Sequence, residues 1–260
     1  MMILRRNPTV LQYWRRSPTY ALVVVVVATA ALTIIQLALK DTSAPSTLRN
    51  VILLTIQVAG VGAVFLLGRQ RPSNVGLGRR NVGVGLIFTV VLIPVLVLIW
   101  WIGDQRYVPP EATSVAAQVW VTFGAFAEEV THRAFIFPQI YLRLRERTSS
   151  TTALLGSVVV TQTYFGLLHA PRFWTESAAA SALFASIYLL HGIIYVVVYI
   201  RTGSIIAATG CHLVANWGNW LGLRVQAEII RLFGLVLAIM WPHITALVSS
   251  MKNRKATSEH

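Results

Sequence analysis

The chain has 260 residues, 55% of them apolar and only 12% charged, and its mean hydropathy is +0.65. That charged share is about half the usual value for soluble proteins; with a single cysteine, Cys211, it excludes a disordered chain and a disulfide scaffold. The net charge of +13 does not point to nucleic acid, because the basic residues gather in short stretches between apolar runs, where they set membrane topology.

About 20 apolar residues span a bilayer as helix, and eight such segments follow one another: Tyr20–Leu39, Val51–Leu67, Val82–Ile102, Thr113–Tyr141, Thr152–His169, Ala178–Ile200, Ser204–Gly222 and Ile229–Val248. Their connections are too short for a second domain. The expectation is an all-α, polytopic membrane helix bundle, with residues 1–260 forming a single integral membrane domain. Residues 1–79 would supply two N-terminal spans without a signature, and the polar motifs fall within about 80–225. With both termini and the even-numbered loops on one side, 15 Lys/Arg lie there and five opposite, while Arg133 and Arg231 fall inside spans. That asymmetry places both termini in the cytoplasm.

The N-terminus has the arginines, apolar run and small-residue site (Ala28-Thr29-Ala30) of a signal peptide. The run continues apolar to Leu39, so a persistent first span is expected instead. Gly76-Leu-Gly78 and Gly83-Val-Gly85 follow no strand, and phosphate binding there is not expected. Gly218-Asn-Trp-Leu-Gly222 fits a close helix-packing face.

Seven of the nine acidic residues fall in loops or tails by this division. The other two, Glu128 and Glu129, are adjacent within the fourth span, in Glu128-Glu129-Val-Thr-His132-Arg133. An ionised group near the bilayer centre costs about 2.5–3.5 kcal/mol on insertion scales, so a doubled carboxylate needs a reason. Glu129 and Arg133 are four apart in the favourable Glu-before-Arg order, a neutralising strut in low dielectric. A strut needs one carboxylate only. Glu128, about 100° further round an α-helix, lacks a full counter-charge and is the candidate general base. His132, four residues on, either backs up Glu128 or faces headgroups or water.

Polar residues recur in the fifth span, Phe165-Gly-Leu-Leu-His169, and in the seventh, Cys211-His212-Leu-Val-Ala-Asn216. His212 and Asn216 share a helix face. A lone intramembrane His is more often a packing residue, but two of them with an Asn and a spare carboxylate on separate helices suggest a site. His191 and His243 have no such company and are assigned to packing; Cys211 is taken as a small hydrophobe. Counting ~1.5 Å per residue from the cytoplasmic edge puts His212 about 13 Å deep and His169 about 27 Å deep. To meet, either the fifth span starts late, near Val158, or the seventh is tilted or broken around Gly210.

Glu128-Glu129-x-x-x-Arg133, Phe165-x-x-x-His169 and His212-x-x-x-Asn216, in that order on three membrane spans, resemble the CPBP family, which includes type II CAAX prenyl proteases and bacteriocin-processing or immunity proteins. The resemblance implies a glutamate-type intramembrane endopeptidase. Glu128 and His169 would activate a water, His212 and Asn216 would donate to the oxyanion, and Glu129 with Arg133 would hold the helix in register. The implied partners are the lipid bilayer and a membrane-bound peptide or protein substrate, prenylated or carrying a transmembrane segment. No nucleic acid and no cofactor are expected.

Three other readings compete. A non-proteolytic family member would act as a membrane immunity factor or scaffold. A transporter would relay protons through Glu128 and His169, but the chain has no repeat halves with interrupted helices. Zinc is the runner-up cofactor, through Glu128, His169 and His212. Against it, His-Glu-x-x-His is missing, Asn216 suits an oxyanion better than a cation, and Glu129 is committed to Arg133.

Overall fold

A computed structural model describes residues 13–40, 46–102, 115–169, 177–220 and 224–258. Among these residues every regular element is helical. In chain order they are α1 (Thr19–Lys40), α2 (Ser46–Leu66), a short 3-10 helix (Pro72–Val75), α3 (Arg79–Ile102) and α4 (Val115–Glu128). A π-helical stretch (Glu129–Ile136) then leads into α5 (Phe137–Arg145), followed by α6 (Ser150–His169), α7 (Ala178–Thr202), α8 (Ile205–Trp220) and α9 (Arg224–Ser258). Each expected apolar segment falls on one rod, with α4, the π stretch and α5 making up the fourth. Thr113 and Gly222, at the ends of two segments, lie outside the described residues, as do Arg5, Arg6, Arg106 and Arg172.

Five of these helices are long and apolar enough to cross a membrane: Thr19–Leu39, Pro72–Ile99, Ser150–His169, Ala178–Thr202 and Ala227–Met251. Asn50–Leu66 and Ile205–Trp217 are shorter apolar helices. Aliphatic side chains stand outward along them, among them Val27, Ile87, Val90, Val159, Leu183 and Val236. Water would penalise such a surface and hydrocarbon does not, so the outer face is as apolar as the core.

Helix ends follow local chemistry. Ser177 caps α7, its hydroxyl accepting from the Ala180 N–H, and Gly203 ends that helix in the left-handed region at φ 70°. α8 sits centrally, packed on α3, α4, α7, α9 and the π stretch, while α1 and α2 pair and lean on the fourth rod. Gly85 and Gly210 let α3 and α8 approach: a Cβ on Gly85 would collide with Ser204 and Ile206, and one on Gly210 with Thr89. Gly85 of the Gly83-Val-Gly85 fragment therefore serves close packing, while Gly83 faces open space.

Before α1 the chain is pinned under the bundle. Trp14 is buried against Phe137, Tyr141 and Tyr199 and donates to the Tyr199 hydroxyl. The Ser17 N–H donates to Gln139 Oε1 at 2.8 Å, and Arg143 donates to the Ser17 carbonyl at 3.0 Å. α1 runs unbroken through Ala28-Thr29-Ala30.

Of the devices expected to bring the two histidines to one depth, a break near Gly210 is not present. α6 is helical from Ser150, well before Val158, and α8 passes Gly210 without a break.

Candidate active site

The fourth rod changes pitch where its charges are. Pro138 has no N–H to continue the ladder, and its ring opposes the carbonyl four residues earlier. The Thr131 hydroxyl also donates to the carbonyls of Ala127 and Glu128, competing with backbone donors. The turn widens to i→i+5 spacing, as in the bond from the Phe137 N–H to the His132 carbonyl. With more residues per turn, neighbouring side chains diverge less than the 100° of an α-helix. Both glutamates can then reach one partner on α8.

That partner is His212. Its Nδ1 lies 2.9 Å from Glu129 Oε1 and its Nε2 lies 4.0 Å from Glu128 Oε2. The imidazole stacks on Tyr195 of α7, with centroids 4.7 Å apart and planes 17° apart. Glu129 is wholly buried, and the same Oε1 is 3.4 Å from Arg133 Nη1. The expected strut is present, but Glu129 serves two cations or donors rather than Arg133 alone.

Arg133 is equally buried, and among the described residues its guanidinium nitrogens have no hydrogen-bond partner. Aromatic faces compensate: its Cζ lies 3.9 Å above the Phe165 ring centroid and 5.4 Å from that of Tyr195. Desolvated contacts of this kind are worth about 2 kcal/mol. The Phe165 of the second motif is thus the platform for the arginine of the first. Its carbonyl also accepts from His169 Nδ1 at 2.9 Å. Against a carbonyl, Nδ1 is the donor. His169 stacks on Tyr188, 4.3 Å between centroids.

Tyr188 and Tyr195 are seven residues apart on α7, about 10 Å at ~1.5 Å per residue. His169 and His212 are therefore offset along α7. Glu128 contacts His212 and lines, with His169, a cavity of about 540 Å³. The cavity is walled by α1 and α2 on one side and by Ala127–His132 and the end of α6 on the other. His132, undecided from sequence, lines it; His212 and Asn216 are not among the lining residues. Asn216 stands one turn beyond His212, partly buried. Among the described residues no three His, Cys, Asp or Glu side chains are placed to hold a metal ion.

Two assignments change. His191 is not a packing residue without polar company: its Nε2 lies 2.7 Å from Glu228 Oε2, whose other oxygen takes Arg231 Nη1 at 2.6 Å. Arg231 Nε donates to the Tyr195 hydroxyl at 3.0 Å. Glu228 lies in the first turns of α9, not in a loop. The pattern was missed because the ion pair joins α7 to α9 across 37 positions. The seven-residue spacing of Tyr188 and Tyr195 on one face of α7 was the available signal for the two histidine platforms.

Residues 110–218 match the family model described as type II CAAX prenyl endopeptidase Rce1-like. The match contains all three motifs and leaves α1 and α2 outside it, and it bears out the family that the motifs resemble. No curated protein and no solved structure matches the chain.

Proposed function

From the Rce1-like character of residues 110–218, we propose that this chain is a glutamate-type intramembrane endopeptidase that hydrolyses a peptide bond of a membrane-associated substrate. One observation carries the reading: Glu128 touches His212 and shares a cavity with His169. In this mechanism Glu128 takes a proton from a water that attacks the scissile carbonyl, and later returns it to the leaving amine. His169, held through Nδ1 by Phe165, orients the same water through Nε2. His212 and Asn216 donate to the oxyanion, each such donor contributing about 2.7–4 kcal/mol. Donation from His212 Nε2 while Nδ1–H stays on Glu129 needs a proton on both nitrogens.

All eight rods cross the bilayer, with both termini cytoplasmic as the distribution of Lys and Arg favours. Chemistry at this depth suits a substrate that itself sits in lipid, through a prenyl chain or a transmembrane segment. In this reading no metal takes part, and Glu129 is engaged by Arg133 and His212. The test is cleavage of membrane peptides by Glu128→Gln. Loss of cleavage with normal accumulation in the membrane supports the protease; a cellular phenotype that survives this change supports a scaffold instead.

A further inference from the structure

One wall of the cavity beside Glu128 is built by helices outside the matched residues 110–218. α1 contributes Thr29, Thr33 and Gln36, spaced to lie on one face, and α2 contributes Gln57. Thr29 is bonded to Tyr164 of α6 at 2.6 Å, which pins α1 at the rim.

Two of the lining side chains are polar, buried and incompletely partnered. Gln57 is 6% exposed, and its Oε1 has no hydrogen-bond partner; His132 is 3% exposed, and its Nδ1 has none. Leaving such atoms unpaired costs free energy, and neither group contributes a hydrogen bond that holds the described fold together. The enclosed Nδ1 means that His132 meets the cavity through Nε2. The Gln57 amide offers N–H or C=O by turning over. An imidazole N–H with an amide is complementary to a polypeptide backbone, which presents one N–H and one C=O at every residue. A prenyl or acyl chain would leave both groups unpaired.

We infer that α1 and α2 form the substrate-binding wall: an extended stretch of substrate backbone, next to the bond offered to Glu128, lies in this cavity and hydrogen-bonds to Gln57 and His132. The inference rests on the protease reading and adds to it a peptide subsite with one wall outside the matched residues 110–218.

The experiment uses the full-length protein in lipid nanodiscs and a pool of quenched fluorogenic peptides, farnesylated and unmodified. Gln57→Leu and His132→Phe are each expected to raise KM roughly 3- to 10-fold, as for loss of one hydrogen bond, with kcat within about twofold, the signature of lost uniform binding. Because Gln57 Oε1 has no partner in the fold, Gln57→Leu should also raise the melting temperature, a split that a structural role would not give. Thr55→Val, on the lipid-facing side of α2, is the control. Should His132→Phe fail to accumulate, His132→Gln, which keeps a donor, should hold KM near the wild-type value. Unchanged KM in Gln57→Leu, with Glu128→Gln inactive, overturns the subsite and leaves the protease standing. Cleavage by Glu128→Gln, or none by the wild type on either kind of peptide, overturns the protease and the subsite with it.

Discussion

His212 and Glu129 meet at 2.9 Å across 83 positions of sequence, and the bond makes Glu129 an orienting carboxylate as well as a strut. Glu129→Gln should therefore lower both yield and turnover, the latter by about 10²–10⁴-fold, as when a catalytic imidazole loses its carboxylate. Combining it with Arg133→Met should recover yield, because no buried charge is left unpaired, but not turnover. Yield by gel filtration and kcat by peptide cleavage separate the two roles. A double variant with wild-type kcat would remove Glu129 from the mechanism.

Glu128→Gln keeps the shape of the site and removes the base. Turnover should fall by ~10² or more, while membrane insertion persists because a costly charge is gone. Rate per folded molecule is the measurement.

Tyr195 supports His212 by stacking and Arg231 through its hydroxyl. Tyr195→Phe should retain most activity. Tyr195→Leu removes the stack and should cost roughly 3- to 10-fold in kcat/KM, the worth of an aromatic pair. Equal losses in the two variants would assign the effect to the hydroxyl.

Dialysis of the purified protein against a strong chelator should leave activity intact, and added zinc should inhibit by capturing histidines. Loss on chelation, restored by stoichiometric zinc, would establish a metalloprotease.

Gly192 of α7 leaves room for Arg133: an added Cβ would sit 3.1 Å from Nη2 and would collide with Gln162. Gly192→Ala should cost about 1–3 kcal/mol of stability, as overpacking does, seen as a lower melting temperature in detergent.

The apolar segments were legible because hydrocarbon thickness fixes their length, and Glu128, Glu129 and Arg133 because charge at that depth is costly. The π turn was not legible: it arises from Pro138 and Thr131 acting together, each ordinary alone. Glu228 was misplaced in a loop because its partners His191 and Arg231 belong to an interface between helices, which no local window shows. The α1–α2 wall escaped notice because Thr29, Thr33 and Gln57 are unremarkable polar residues until a cavity gives them a common neighbour. The offset of His169 and His212 was read from residue counting and is seen along α7. What sequence could not supply was the cavity that Glu128 shares with His169.

Trp14 precedes every helix among the described residues, yet it is enclosed by rings from Phe137, Tyr141 and Tyr199, the last 185 positions later. A ribosome delivers α1 to the membrane long before those rings exist. This early segment is thus among the last to be locked, and until α7 arrives its tryptophan stays open to chaperones and proteases at the membrane face. A nascent chain stalled before Tyr199 should be nicked near residue 14, where the finished protein resists.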